Sequence, residues 1–279
     1  MRWSIIGSRP RAQTPAARRN SLSEDFQKTF GGLKLRTCHT VGEYRQVMAL
    51  QKEVWGFEDA ELVPVRMFVV GEKVGGHILG AFDGNTLVGY SYGIPGVRAG
   101  HAYIHSHMLA VRENLRNSGL GRALKLMQRE LCLRQGFSLI EWTFDPLEIK
   151  NSWFNLERLG AVVRRYVVNQ YGITASPLQG GLPTDRLVAE WWLNSERVSY
   201  TLEHGRPDKI AVVERIAVPA DVYAWKSEPE TRHLAAQAQR VIRDSMQQHL
   251  SAGLVVTGYE RDAEGNGSFL LGHWAGAEF

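Results

Sequence analysis

His105-Ser106-His107-Met108-Leu109-Ala110-Val111-Arg112-Glu113-Asn114-Leu115-Arg116-Asn117-Ser118-Gly119-Leu120-Gly121-Arg122-Ala123 is the stretch whose reading decides the fold. It runs from a strand-like segment ending at Val111, through a polar turn, into a helix that opens at its glycines. The first turn of a helix leaves backbone N–H groups without partners, and its dipole favours negative charge there. Glycines at that point let a diphosphate approach the N–H groups closely, so a phosphate-bearing ligand belongs on this turn. Gly-x-Gly alone also arises from tight packing, and two other phosphate motifs are excluded by context. A P-loop needs Gly-Lys-Ser/Thr where Arg122-Ala123 stands, and the dinucleotide fingerprint needs the first strand of a parallel βαβ unit.

Upstream, the pattern predicts a strand over Leu33–Arg36 and then a helix. Thr40 and Glu43 have the spacing of a capping box, Tyr44, Val47, Met48, Gln51 and Trp55 share one face, and Gly56 is a stop. After a short segment near Pro64–Val70, strands are expected at Ile78–Phe82, Thr86–Tyr92 and Ala102–Val111, separated by Asp83-Gly84-Asn85 and Pro95-Gly96. That is an antiparallel meander. Downstream, a helix from about Gly119 to Gln135 precedes a strand over Ser138–Phe144, a short helix over Asn151–Leu159 and strands at Ala161–Gln170 and Leu187–Leu193. Gly172–Arg186 is too long for a tight hairpin and reads either as a functional loop or as a plain linker. Past Leu193 a polar stretch leads to a strand at Lys209–Val218, a helix from about Pro229 to Leu250 started by Ser227 and Glu230, and strands at Val255–Arg261 and Ser268–Leu271.

With Arg116-x-x-Gly119-x-Gly121 following this meander, the sequence resembles the GNAT superfamily of CoA-dependent N-acyltransferases over residues 33–193. The resemblance implies an α/β (α+β) fold: a mixed, mostly antiparallel central sheet flanked by helices, here with a small C-terminal βαββ extension over 194–279. That extension is expected to pack on the first domain or to mediate dimerisation, a homodimer being the form this would take. Gly181-Leu182-Pro183-Thr184-Asp185-Arg186-Leu187-Val188-Ala189-Glu190-Trp191 resembles a bacterial subgroup of predicted acetyltransferases with this extension.

The resemblance also implies site roles. Acyl-CoA, acetyl-CoA by default, would lie between two splayed strands, its pantetheine arm pairing with the backbone of Leu109 and Val111, and the Leu109 N–H would face the thioester oxygen. Arg116 and the amides from Asn117 through Ser118, Gly119, Leu120 and Gly121 to Arg122 would hold the diphosphate. Asn151 matches an asparagine that contacts CoA, and Arg158 would pair with CoA phosphates or stand as an exposed helix charge. Histidine suits proton transfer near neutral pH. His105 stands where several members of the superfamily carry a general base, and His105 and His107 match the His-x-His of arylalkylamine acetyltransferases. Two residues apart on a strand, they share a face. Structural histidines, or a metal pair lacking a third ligand, are the competing readings, and no metal is expected.

Many members place a tyrosine in the second short helix to protonate the leaving thiolate, and here that position is Leu156. Tyr166 or Tyr171 would replace it, or catalysis has been lost. Asp185 would hold the acceptor ammonium and Arg186 a carboxylate on acceptor or acyl group, with a local Asp–Arg turn as the alternative. The function expected is transfer of an acyl group to the primary amine of a small molecule by direct attack. Amino-acid N-succinylation with succinyl-CoA is one alternative, and a catalytically inactive CoA-binding regulatory protein is another.

Composition narrows the classes. The chain has 279 residues, 44% apolar and 22% charged, with a net charge of +4. Residues 1–32 carry Arg2, Arg9, Arg11, Arg18, Arg19 and Lys28 against Glu24 and Asp25, so this segment supplies the whole excess. It reads as a basic, disordered tail, and the balanced remainder offers no footprint for nucleic acid. No apolar run reaches the roughly 18 residues of a membrane span. Cys38 and Cys132 form neither a disulfide framework nor a zinc site, which makes the cytoplasm the expected location.

Overall fold

The computed structural model describes residues 26–174, 176, 179–208 and 210–276. Most of the expected basic tail, residues 1–25, lies outside the described residues, as does the start of the strand expected from Lys209. The elements are β1 (Gln27–Phe30), β2 (Leu33–Thr37), α1 (Val41–Trp55), α2 (Val65–Lys73), β3 (His77–Asp83), β4 (Thr86–Arg98), β5 (His101–Val111), α3 (Leu120–Arg134) and β6 (Leu139–Phe144). They continue with α4 (Ile149–Trp153), which passes into a wide π turn over Phe154–Arg158, then β7 (Val162–Val167), β8 (Arg186–Trp192) and α5 (Glu196–His204). The last are β9 (Glu214–Val218), α6 (Val222–Ser227), α7 (Arg232–Ser251), β10 (Val255–Arg261) and β11 (Gly267–Gly272). Among the described residues no helix is long and apolar enough to cross a membrane.

Among the described residues eleven strands form one sheet in the order β1-β2-β3-β4-β5-β6-β8-β7-β10-β11-β9. Every neighbouring pair is antiparallel except β5 and β6. Those two run parallel and pair only at Ile104↔Ile140 and His105↔Glu141. Beyond His105 the strands part, which leaves one edge of β5 without a strand partner in the middle of the sheet.

A bulge aims the side chains at this fork. Tyr92 faces Met108 and Gly93 faces Ser106, so His107 is one extra residue in β5. An inserted residue reverses the alternation beyond it. Met108 and Ala110 therefore pack with Tyr44 and Val47 of α1, whereas Leu109 and Val111 pack with Leu120 and Leu124 of α3. Before the bulge it is Ser106 that faces α3, through Gln128.

Several expectations need correction. The chain joins the sheet before residue 33: β1 pairs with β2 across Gly31 and Gly32, both at positive φ. Phe26, 4% exposed, enters the core, while the polar strand Gln27-Lys28-Thr29 hid this from an apolar-pattern reading. Pro95-Gly96 does not end β4, which continues to Arg98 and turns at Ala99-Gly100. The last β3–β4 pair is His77↔Gly93, so Pro95 has a partner on one side only and its missing N–H breaks no ladder. The polar stretch after Leu193 holds α5, capped by the Ser195 side chain accepting from the Val198 N–H. Its buried face includes Arg197 and Thr201, which an apolar periodicity cannot report. Ser227 does not start the long helix. It ends α6, its hydroxyl donating to the Ala224 carbonyl, and α7 begins only at Arg232.

Candidate active site

The glycine turn has the geometry its sequence demands. Asn117 and Gly119 sit at φ 63° and 91°, and Gly119 caps α3 without a side-chain hydrogen bond. Ser118 Oγ donates to the Leu115 carbonyl (2.7 Å) and accepts from the Leu120 N–H (3.3 Å). One of the amides expected for the diphosphate is thus already engaged. Ala123 N–H returns to the Gly119 carbonyl, so Gly121 and Arg122 present the helix-start N–H groups that have no intrahelical acceptor. A Cβ on Gly121 would meet only Leu109 and Val111 side chains, at 3.8 and 4.0 Å. The protein itself has no steric need for that glycine, so its small size leaves room for something else. Arg116 is exposed. Arg122 is half-buried, its Nε without a partner among the described residues. Burial, and then the nearby Arg158, hold its pKa below the usual guanidinium range.

His105 and His107 lie on the opposite face of the sheet from α3, their rings 6.0 Å apart, and His107 meets Tyr92 edge-on at 6.0 Å. Burial and then His107 pull His105 down to about 4, with Glu141 opposing. Burial also lowers His107. Both rings are therefore neutral at pH 7 and able to accept a proton. The residue in register with His105 is Glu141, 2% exposed, whose carboxylate accepts from Arg98 and from Arg165 Nη2 (2.5 Å). Glu190, next in the row, pairs with Arg164 at 2.7 Å. Sequence reasoning missed this carboxylate–arginine row. The signal was a lone glutamate within each of the apolar runs Leu139-Ile140-Glu141-Trp142 and Val188-Ala189-Glu190-Trp191.

A second polar chain lies under the fork, on the α3 side. Lys125 Nζ donates to Ser106 Oγ (2.8 Å), Ser106 donates to Gln128 Oε1 (2.8 Å), and Gln128 Nε2 meets His77 Nε2 at 2.9 Å. The ammonium lies 3.7 Å from the centre of the Trp142 ring. Burial lowers Lys125 to about 7 and His77 to about 4.

Two expected site residues are committed elsewhere. Asp185 is 0% exposed and accepts four hydrogen bonds: from Tyr166 Oη (2.6 Å), Asn169 N (3.0 Å), Arg243 Nε (2.7 Å) and Arg243 Nη2 (3.1 Å). A saturated, buried carboxylate cannot take an acceptor ammonium. Tyr166 packs with the cluster on the α7 side and holds its proton more tightly than a free phenol, because of burial and Asp185. It is not an acid facing the histidines. Leu156 is fully buried in the same cluster. Tyr171, the other tyrosine considered, is exposed, and its hydroxyl lies 3.1 Å from Thr143 Oγ1 on β6, the far arm of the fork. Arg186 lies against the Tyr171 ring at 5.7 Å and donates to the Asp185 carbonyl and to Gln179. Asn151 is exposed on α4 with only a 3.5 Å contact from Asn155, and Arg158 Nη1 donates to the Gly205 carbonyl. Among the described residues no group of three or more His, Cys, Asp or Glu side chains is placed to hold a metal.

Residues 43–152 match the family model for the acetyltransferase (GNAT) family. Among solved structures the chain is similar to smu.2055 from Streptococcus mutans, at 16% identity over 57% of this chain and 99% of that one, with a TM-score of 0.47. It is also similar to a GNAT family acetyltransferase from Elizabethkingia anophelis with acetyl-CoA bound, at 13% identity over 58% and 99%, TM-score 0.43. An aminoglycoside acetyltransferase from an uncultured soil metagenomic sample, in complex with sisomicin, matches at 15% identity over 43% and 82%, TM-score 0.39. No curated protein matches the chain.

Proposed function

Because residues 43–152 match the family model for the acetyltransferase (GNAT) family, we propose that this protein transfers an acyl group from CoA to the primary amine of a small molecule by direct attack while both are bound. The observation that carries the reading is the fork: pairing between β5 and β6 stops at His105↔Glu141, with the open α3 start on one side and two neutral histidines on the other. The residues present fit acyl-CoA. The N–H groups of Gly121 and Arg122 and the unpartnered Arg122 Nε suit a diphosphate, and the free edge of β5 at Leu109 and Val111 suits a pantetheine arm that pairs as a strand does. When bound, acyl-CoA supplies the activated thioester carbonyl.

The chain's own residues do the rest. The Leu109 N–H would donate to the carbonyl oxygen, where negative charge grows as the amine attacks. His105 and His107, being neutral, take the proton that an ammonium must lose before it is nucleophilic. Tyr171 is the hydroxyl left to protonate the departing thiolate, Tyr166 being engaged by Asp185. Arg186, seated on Tyr171, favours a carboxylate-bearing acyl group as a second reading, succinyl above all.

The test is thioester consumption with acetyl-CoA and succinyl-CoA across a panel of small primary amines, from pH 5 to 9, for wild type and for His105→Gln and His107→Gln. Acceptor-dependent turnover that falls at least tenfold in one of the histidine variants supports the reading. No consumption with any amine, from a protein that binds CoA, overturns the catalytic reading and leaves a binding module. Turnover with an unchanged pH profile in both variants removes the histidines from proton transfer.

A further inference from the structure

Arg122 at the glycine turn, Arg158 at the end of the π turn and Arg261 at the end of β10 are cations with no carboxylate within ion-pair distance among the described residues, although they come from three separate parts of the chain. Arg158 and Arg261 share one aromatic ring: their guanidinium carbons lie 5.7 and 5.1 Å from the centre of Trp153. Arg122 is close enough to Arg158 to be depressed by its charge. The acidic neighbours of Arg261 are engaged by other groups. Glu260 pairs with Arg215, and Asp262 accepts from the Asn266 backbone (2.8 Å) and side chain (2.9 Å) to close its own turn. Like charges gathered without counter-charges raise the free energy of the empty site, and a bound anion removes that cost.

Beside Arg261 lies a cavity of about 570 Å³ lined by Lys150, Trp153, Tyr223, Tyr259, Arg261 and Gly265, and bordered by the already engaged carboxylates of Glu260 and Asp262. Its size is in the range of small-molecule sites, roughly 300–1,000 Å³. Trp153 is half-buried, and an aromatic ring bordered by cations suits a flat heteroaromatic group carrying phosphate, through stacking and charge-assisted hydrogen bonds. Tyr223, Tyr259, Arg261 and Gly265 belong to the C-terminal segment, whereas Lys150 and Trp153 belong to α4.

We propose that residues of the C-terminal segment, Arg261 foremost, complete a site for the 3′-phosphoadenosine end of CoA, with the 3′-phosphate between Arg158 and Arg261 and the base against Trp153. The assignment rests on the acyl-CoA reading above and adds a residue outside the glycine motif to it. It makes Arg261 a specificity-determining residue that separates CoA from its 3′-dephospho form.

The experiment is isothermal titration of the full chain with CoA and with 3′-dephospho-CoA, on wild type, Arg261→Gln, Arg261→Glu and Arg261→Lys, with folding checked by circular dichroism. Wild type is expected to bind CoA at least tenfold more tightly than the dephospho form. Gln erases that ratio while leaving dephospho-CoA affinity within about twofold, Glu inverts it, and Lys restores part of it. Equal binding of the two ligands by wild type overturns the proposal and leaves the acyl-CoA reading standing. An equal loss of both ligands in Arg261→Gln also overturns it, because the arginine then acts on the fold or on the diphosphate. Failure of wild type to bind either ligand brings down the acyl-CoA reading itself.

Discussion

Replacing Arg243 with alanine tests how the loop beside the site is held. The guanidinium makes two hydrogen bonds to a carboxylate that is 0% exposed, at 2.7 and 3.1 Å. Breaking a buried pair by removing one partner costs about 3–5 kcal/mol, because a charge is left desolvated and uncompensated. Asp185 keeps two donors, Tyr166 Oη and Asn169 N, so the lower part of that range applies, and the expected loss is about 3–4 kcal/mol. Urea unfolding at pH 7 measures it. The cycle with Asp185→Asn separates pair from packing: with the charge gone, Arg243→Ala costs less, and a coupling above about 1 kcal/mol is expected for groups in direct contact. The loop Val168–Asp185 then loosens, which amide exchange at Asn169 reports, since its N–H donates to the same carboxylate. A loss under about 1 kcal/mol, or strictly additive effects, refutes the argument that this ion pair pins the loop.

Lys125 is lowered to about 7 in the folded protein, against about 10.4 in an unfolded chain. The unfolded state therefore binds more protons between those values, so stability rises with pH across that window and is lowest below pH 7. Lys125→Met is expected to flatten this dependence, and urea midpoints from pH 6.5 to 10 that still climb equally in the variant would show that another group is responsible. Gly121→Val should leave the melting temperature within a few degrees, because the first added carbon, the Cβ, meets side chains only at ordinary contact distance, while CoA affinity falls at least tenfold by titration. A variant with unchanged affinity removes the turn from the CoA site. Tyr171→Phe should lower kcat with little change in CoA affinity, whereas Tyr166→Phe should cost about 1 kcal/mol of stability by losing one hydrogen bond. A larger kcat effect from Tyr166 would reverse that assignment.

What the sequence discloses about this molecule follows the range of the interactions involved. The capping box at Thr40 and Glu43 and the left-handed Gly56 are decided within one or two turns of chain, and both stand as read. The left-handed Gly119 that opens α3 is equally local. The partners of Asp185 and Tyr166 are not legible in the sequence because Arg243 lies 58 residues beyond Asp185, on a helix whose own pattern says only that it is amphipathic. Glu141 was missed for a related reason: a glutamate in an apolar strand is intelligible only once Arg98 and Arg165 are seen to reach it from β4 and β7.

The bulge at His107 is the instructive intermediate. A residue inserted on one strand is visible only against its partner, here the step from Tyr92↔Met108 to Gly93↔Ser106. Simple alternation would put His105, His107 and Leu109 on one face. With the bulge, the histidines stay opposite α3, while Leu109 and Val111 turn toward α3 and line the approach to Gly121. The histidine pair and the side chains that lead to the glycine turn thus lie on opposite faces of one strand, with only the fork between them. On the proposed reading, a thioester in that fork would be reached by an amine from the histidine side and held by its diphosphate from the α3 side. One inserted residue would thereby separate the paths of the two proposed substrates.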